Sequence, residues 1–455
     1  MKVIGRAVTR AAAWAAGVFY RVERAGPALP GGPTIIVANH PNMLMDPLLV
    51  LGSAGRRVRA LAKAPLFRIP LFGQILRAMD TLPLYRVQDD PHQLPRNRLA
   101  FQEAVESLQG GATLLMFPEG KSHSEPQLAP LKSGVARMAL EAEDRCGWQL
   151  GVKIVPFGLA YQHKHRFRSR VRVGIGERIV VSDWREECGK DRGAAVRSLT
   201  AAVAGGLAGQ MLNVSQEADR GLVETADLLY TRARGGIGWR EREAWGERLP
   251  RLQSLADQFA WLRERDAGRW EALSTSLGEY ATELRLLRSG SADVPPRYEA
   301  KRVARFVFRE LGLLVAGLPV AASGMILWYL PHLVTALVCR LLRPNIETVA
   351  TVKLLAGLVS YGAAYVGWIV IAASVGGLGA GVATAVLAPL LGLVALHWWD
   401  RFLEAFEDLR LFARVLRYPA VRHRVLERRG SLVEELETLG RSWTELTKRG
   451  QAGGR

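Results

Sequence analysis

The chain has 455 residues, 49% of them hydrophobic and 23% charged, with a formal net charge of +18. Length and apolar content exclude a disulfide-stapled miniature and a wholly disordered chain, and admit more than one domain. The positive excess fits three kinds of partner: nucleic acid, an anionic membrane surface, or acidic substrates. Cys146, Cys188 and Cys339 are far apart, which argues against a disulfide framework and a cysteine zinc site.

In chain order, Lys2, Arg6 and Arg10 share one helical face and Ile4, Val8, Ala11, Trp14 and Val18 another. This predicts an amphipathic helix in a membrane interface over 1–29, and a core-packing helix fits the same spacing. The apolar stretch is short and lacks a clean cleavage site, unlike a signal peptide. Pro27 to Pro33 interrupts the helix. The apolar runs 34–38, 112–117 and 152–159 read as buried strands, and 72–79 and 98–108 as helices between them. Alternating strands and helices predict an α/β domain over 30–205.

Residues 206–308 read as a helical hairpin region and linker. Leu252, Leu255, Phe259 and Leu262 form one apolar stripe, and Leu273, Leu277, Tyr280, Leu284 and Leu287 another. The membrane region spans 309–400. Between Leu354 and Trp399 there is no Asp, Glu, Lys or Arg, and Gly376, Gly377, Gly379 and Gly381 lie near the middle. A single crossing needs about 20 apolar residues, so this run predicts a membrane hairpin. The segment 309–342, with Pro319, Pro331 and His332, reads as a broken, re-entrant or interfacial element. The tail 401–455 reads as basic and amphipathic. Ser431 and Glu434 have capping-box spacing ahead of Leu436, Leu439, Trp443 and Leu446. Basic flanks on both sides of the apolar region predict an even number of crossings, with the large N-terminal part and the tail on the cytoplasmic face; three full crossings are the alternative.

The segments with chemical promise follow the predicted strands. The first is Asn39-His40-Pro41-Asn42-Met43-Leu44-Met45-Asp46-Pro47. Residues six apart do not face each other on a straight helix, but a loop bent by Pro41 and Pro47 lets His40 meet Asp46. A carboxylate on one imidazole nitrogen fixes the tautomer and makes the other a general base; a plain Pro/Asn turn is the alternative. The second is Phe117-Pro118-Glu119-Gly120-Lys121-Ser122-His123. Here a forced turn lets backbone N–H groups, Glu119 and Lys121 face a polyol phosphate, if it is not an ordinary polar turn. The third ends Leu82-Pro83-Leu84-Tyr85 in Arg86, a residue type that clamps phosphate and is common on surfaces. In the fourth, Pro156 interrupts the predicted strand at Val152 to Leu159, which suggests an edge or a bulge. The basic stretch 164–172 reads as a strand with one solvated basic face, without a nucleic-acid motif. His123, His163 and His165 have no metal-ligand spacing.

These four segments, in this order, resemble the glycerolipid acyltransferase family, which includes the glycerol-3-phosphate and 1-acylglycerol-3-phosphate acyltransferases. NHPNMLMD resembles its N-H-x4-D motif with one extra residue, the H-x5-D form of one glycerol-3-phosphate branch. LPLYR resembles its second motif, and FPEG its third, with Lys121 and Ser122 in place of Thr-Arg. Ile154-Val155-Pro156 resembles the fourth, and 61–63, 68–73 and 130–136 also look like the family.

The resemblance implies a twisted mixed sheet flanked by helices, and an O-acyltransferase in which Asp46 orients His40 as the general base. It implies that Pro118, Glu119, Gly120 and Arg86 serve the acceptor, that Val155 and Pro156 border the acyl donor, and that Lys63, Lys121 and Lys132 are further phosphate contacts. The implied partners are membrane lipids, acyl-CoA or acyl carrier protein, and a glycerol-phosphate acceptor. No metal, no other cofactor and no nucleic acid are expected. Another lysophospholipid or amino-lipid acceptor, a catalytically silent membrane scaffold, and a polyanion-binding membrane protein are the competing readings.

Overall fold

The computed structural model describes residues 2–70, 72–85, 96–123, 127–214, 217–233, 245–286 and 300–452. They form two compact units, one of 1–213, 244–249 and 344–354, the other of 214–243, 250–343 and 355–455.

The first unit is α/β. Its strands are β1 (Arg21–Ala25), β2 (Thr34–Ala38), β3 (Arg59–Lys63), β4 (Leu82–Leu84), β5 (Thr113–Met116), β6 (Lys153–Tyr161), β7 (Arg170–Ile175) and β8 (Ile179–Val180). Its helices are α1 (Lys2–Phe19), α2 (Met45–Ser53), α3 (Phe72–Ala78), α4 (Arg96–Gln109), α5 (Gly134–Arg145), α6 (Arg185–Lys190) and α7 (Arg192–Ala208). The sheet runs β1-β7-β6-β2-β5-β3-β4, with β8 on β6. Strands β6, β2, β5, β3 and β4 are mutually parallel, whereas β7 and β8 run antiparallel to β6. The sheet is therefore mixed, as the motif order implies.

β2 is apolar throughout because both faces of the sheet are covered. Ile36 and Ala38 point into one core with Phe19 of α1 and Met45 and Leu49 of α2. Ile35 and Val37 point into the other with Val105, Leu140 and Leu199 of α4, α5 and α7. In β6 the same two-residue period sends Val155, Phe157 and Leu159 to the α1–α2 side and Ile154 to the other.

Several expectations change. The segment 1–29 is more than an interface helix: Ala15, Ala16 and Phe19 are buried in the core, and Arg21–Ala25 is a sheet strand. Trp14 of the predicted stripe is 65% exposed. The side chains of Ile4 and Val8 lie outside the described residues. β6 is an inner strand, not an edge. Pro156 is tolerated where the neighbour changes from β8, paired at Lys153 and Ile154, to β7, paired from Phe157 onward. Its carbonyl accepts from Gly176 N at 2.8 Å on that side. The basic stretch 164–172 enters the sheet only at Arg170.

The second unit contains α8 (Glu217–Ala233), most of α9 (Trp245–Arg265), α10 (Ala267–Leu286), α11 (Ala300–Leu342), α12 (Val349–Arg417) beyond its first turn, and α13 (Pro419–Ala452). The stripes Leu252, Leu255, Phe259, Leu262 and Leu273, Leu277, Tyr280, Leu284 are buried as predicted. Leu287 and the linker 289–296 lie outside the described residues. α13 closes on this hairpin through Leu432, Leu436 and Leu439, with Trp443 edge-on to Trp261 at 5.9 Å. Arg428 pairs with Glu279 at 2.6 Å. Ser431 is no cap, because α13 begins at Pro419 and the Ser431 hydroxyl bonds back to Arg428 O at 3.0 Å.

α11 and α12 hold the stretches long and apolar enough to cross a bilayer, Phe308–Leu342 and Val349–Phe406. α12 is two helical arms that meet at Gly377, whose φ of 74° only glycine adopts readily, within the predicted turn. The arms touch through Tyr365 OH on Ala385 O at 2.8 Å. α11 is unbroken, contrary to expectation, with Pro319 and Pro331 inside it. Close packing supports it: a Cβ at Gly324 would strike the Leu391 carbonyl, and Trp328 and Trp398 donate to Ala388 O at 3.0 Å and Leu314 O at 2.8 Å.

Ile36 is fully buried at the sheet centre. Ile36→Ala is expected to lower stability by about 2–5 kcal/mol, read as an earlier melting transition.

Candidate active site

Because β2 to β6 run in one direction, their carboxyl ends meet at one edge of the sheet, where the sites of open α/β sheets form. Asn39 and His40 follow β2. The Asn39 side chain copies a strand neighbour: its Oδ1 accepts from Leu159 N at 2.7 Å and its Nδ2 donates to Leu159 O at 3.0 Å. That bridge locks the chain exit from β2 onto β6. The next residues form a tight loop in which Met43 adopts φ of 34°, and the chain enters α2 with Met45 N bonded to Asn42 O at 2.9 Å. Asp46 lies in the first turn of α2, where a carboxylate suits the helix dipole and Pro47 lacks only an N–H the helix does not need.

The loop closes the five-residue gap. His40 Nδ1 lies 2.8 Å from Asp46 Oδ2, with Asp46 fully buried and His40 17% exposed at the side chain. Asn42 N also donates to Oδ2 at 2.6 Å, and Tyr161 OH donates to Oδ1 at 2.5 Å. Nδ1 is thus committed to the carboxylate, which leaves Nε2 as the nitrogen available for proton transfer.

The FPEG loop grips the same histidine. Phe117 stacks on the His40 ring at 4.1 Å between centroids. Glu119 Oε1 accepts from His40 N at 3.0 Å. Ser122 Oγ donates to His40 O at 2.8 Å and accepts from Met43 N at 3.2 Å, and His123 N donates to His40 O at 3.2 Å. Glu119 Oε2 receives Ala129 N at 3.3 Å and His123 Nε2. The Glu119 side chain is 1% exposed with both oxygens engaged. It therefore shapes the loop around His40 rather than turning toward an acceptor, a correction to its predicted role.

The other predicted residues are placed as follows. Gly120 has φ of 72°, a conformation that favours glycine, and the Lys132 Nζ lies 2.6 Å from where a Cβ would stand. Pro118 is buried, and its carbonyl accepts from Lys132 N at 2.9 Å. Lys121 is exposed, and Lys63 ends β3 at the same edge. Arg86 lies outside the described residues; Asn97 Oδ1 accepts from Tyr85 N at 2.8 Å just before it. Val155 and Pro156 are buried in the sheet, with Pro156 opposite Val37 near the end of β2. Among the described residues no cluster of metal-ligand type occurs.

Two tyrosines escaped the motif reading. Tyr161 ends β6, and its ring lies 5.2 Å from that of Tyr20, edge to face. Tyr20 OH accepts from Asn42 Nδ2 at 2.8 Å and donates to Lys164 O. Burial pushes both phenols well above the ordinary tyrosine range, and the Asp46 charge adds to the rise; both stay neutral donors. The period of β6 was the available signal, since it puts Tyr161 on the same face as Val155, Phe157 and Leu159. On the adjoining loop His163 and His165 are held below the usual histidine range by burial first, then by Arg166 and Lys353 respectively. Lys353 Nζ donates to His165 O at 2.7 Å.

Ser122→Ala is expected to cost about 1–2 kcal/mol, because it removes the donor to His40 O and leaves Met43 N without its acceptor. Thermal unfolding of the variant checks this.

Residues 20–160 match the family model described as Acyltransferase. The chain is 42% identical over 95 residues to glycerol-3-phosphate O-acyltransferase 2 of Saccharomyces cerevisiae, covering 21% of this chain and 13% of that protein. It is 28% identical over 128 residues to a chloroplastic 1-acyl-sn-glycerol-3-phosphate acyltransferase of Brassica napus, covering 28% of this chain and 33% of that one. Among solved structures it is similar to the 1-acyl-sn-glycerophosphate acyltransferase PlsC of Thermotoga maritima, at 25% identity and a TM-score of 0.30, over 44% of this chain and 79% of that one. The chain spans about a third or less of the length of the curated relatives it matches. Residues 20–160 thus carry an acyltransferase domain by the family model, and the relatives matched are of the glycerolipid type.

Proposed function

We propose that this protein is a membrane-bound O-acyltransferase that moves a fatty acyl group from acyl-CoA or acyl carrier protein to glycerol-3-phosphate or 1-acylglycerol-3-phosphate. The observation that carries the reading is the 2.8 Å His40 Nδ1–Asp46 Oδ2 contact at the carboxyl edge of the sheet. His40 Nε2 takes the proton from the acceptor hydroxyl as its oxygen attacks the thioester carbonyl carbon. The C–O bond forms, the C–S bond breaks, and the departing thiolate takes the proton back from His40. The products are an ester and a free thiol, and the reaction needs no metal and no covalent acyl-enzyme.

The acceptor and donor both carry phosphate, which suits the ammonium groups of Lys63, Lys121 and Lys132, with Arg86 proposed beside them. The net charge of +18 suits an anionic lipid surface on the cytoplasmic side. The large apolar side chains left exposed along α11 and α12, among them Phe308, Val375 and Leu378, suit lipid as their solvent.

The packing of the second unit supports an even number of crossings. α10 precedes the apolar helices and α13 follows them, yet Arg428 of α13 pairs with Glu279 of α10. At the inner end of the same region Arg401 binds Glu310 at 2.7 Å. Both ends of the apolar region then share one side of the bilayer.

Membranes carrying the wild type are expected to release free thiol and form lipid product from palmitoyl-CoA with one of the two acceptors, and His40→Ala to abolish both. Activity that survives His40→Ala refutes the mechanism; a folded wild type inert with either acceptor favours a silent scaffold. In sealed vesicles, single cysteines at Gln149 and Ser431 are expected to label from the same side. Labelling from opposite sides refutes the even count.

A further inference from the structure

The Asp46 carboxylate is held at both oxygens, but unequally. Oδ2 receives His40 Nδ1 and Asn42 N, both from its own loop. Oδ1 receives Tyr161 OH at 2.5 Å, its one hydrogen bond recorded among the described residues. A carboxylate fixed at one oxygen alone can still turn about its Cβ–Cγ bond, whose torsion has no sharp staggered wells. The donor at Oδ1 removes that freedom.

This donor is rigidly mounted. Tyr161 ends β6, pairs with Val171 of β7, and leans its ring on Tyr20. Tyr20 in turn takes the Asn42 side chain at 2.8 Å. The five-residue gap between His40 and Asp46 is thus backed by two phenols from distant parts of the chain.

We propose that Tyr161 is a positioning residue of the acyl-transfer site, whose hydroxyl sets the plane of the Asp46 carboxylate and through it aims His40 Nε2 at the acceptor hydroxyl. The inference rests on the acyltransferase reading above. Tyr161 moves no proton in the reaction, because its hydroxyl is spent on Asp46. Loss of the hydroxyl leaves Oδ1 buried without a donor, and the carboxylate turns to find one. The imidazole then keeps its place but loses its alignment.

The test compares Tyr161→Phe and Tyr20→Phe with the wild type and His40→Ala in the full-length protein. Tyr161→Phe keeps the ring and its packing. Its kcat is expected to fall about 10- to 100-fold, with KM for acceptor and acyl donor changed by no more than about threefold. Tyr20→Phe removes an equally deep hydroxyl that does not touch Asp46, and a smaller loss of kcat is expected. A Tyr161→Phe kcat within about twofold of wild type, a loss carried by KM, or an equal loss in Tyr20→Phe overturns the proposal. Should Tyr161→Phe not fold, Tyr161→His, which keeps a ring donor, is expected to outperform Tyr161→Leu, and equal rates overturn it.

A second readout needs no substrate. The rate at which diethylpyrocarbonate modifies His40, followed by peptide mass spectrometry, is expected to change in Tyr161→Phe, and an unchanged rate overturns the positioning role. A wild type without acyl transfer, together with an altered His40 reactivity in Tyr161→Phe, sinks the proposed function while leaving Tyr161 as the residue that aims His40.

Discussion

A carboxylate taken out of water must be supplied with donors, and two of them organise this protein. Asp46 and Glu119 both lie buried at the carboxyl edge of the sheet. Asp46 gathers the His40 ring, the Asn42 amide and the Tyr161 hydroxyl. Glu119 gathers the His40 amide, the Ala129 amide and the His123 ring. An unpaired buried charge costs several kcal/mol, so neither loop can relax without exposing such a charge. His40 is the residue common to both sets. Its backbone answers to one carboxylate and its side chain to the other.

This double claim has further anchors around the five-residue loop between His40 and Asp46. Ser122 supplies one by clasping His40 O and Met43 N together. Lys121, by contrast, points to solvent and carries no part of the scaffold. The two neighbouring residues therefore do different work: Ser122 holds the loop, and the Lys121 side chain is exposed to solvent.

Much of this was legible in the sequence because it is local or periodic. β2, β5 and β6 announce themselves as apolar runs, since parallel strands covered on both faces need no alternation. The leucine stripes at 252–262 and 273–284 read correctly because a helix repeats its buried face every few residues. The glycine cluster around Gly377 marked the bend in α12 for a conformational reason. The misses concern contacts that no short window contains. β1 is a strand only because β7 lies beside it, and Arg21–Ala25 has no apolar run of its own. Tyr161 meets Asp46 across 115 positions of chain. Pro156 looked like an edge signal because the local rule cannot see a neighbour change from β8 to β7. Ser431 looked like a cap because its spacing is right, yet the preceding residues carry on as helix. Glu119 was assigned to the acceptor because a carboxylate in a turn can take hydrogen bonds from a polyol, and only the fold reveals the protein donors that engage both its oxygens.

The segment 344–354 has a consequence for how the chain can be divided. Ala350 and Leu354 are buried in the same core as Phe157 and Met45, and Lys353 ties the His165 carbonyl. Yet these residues stand between the two long apolar helices. A chain severed anywhere before them forfeits a plug from the α/β core and a tether on the loop beside Tyr20. The α/β unit is thus not one contiguous stretch of chain: its last piece of hydrophobic interior arrives only after α11 has been synthesised. Completion of the α/β core must wait for the ribosome to pass residue 354, well after its last strand has been made.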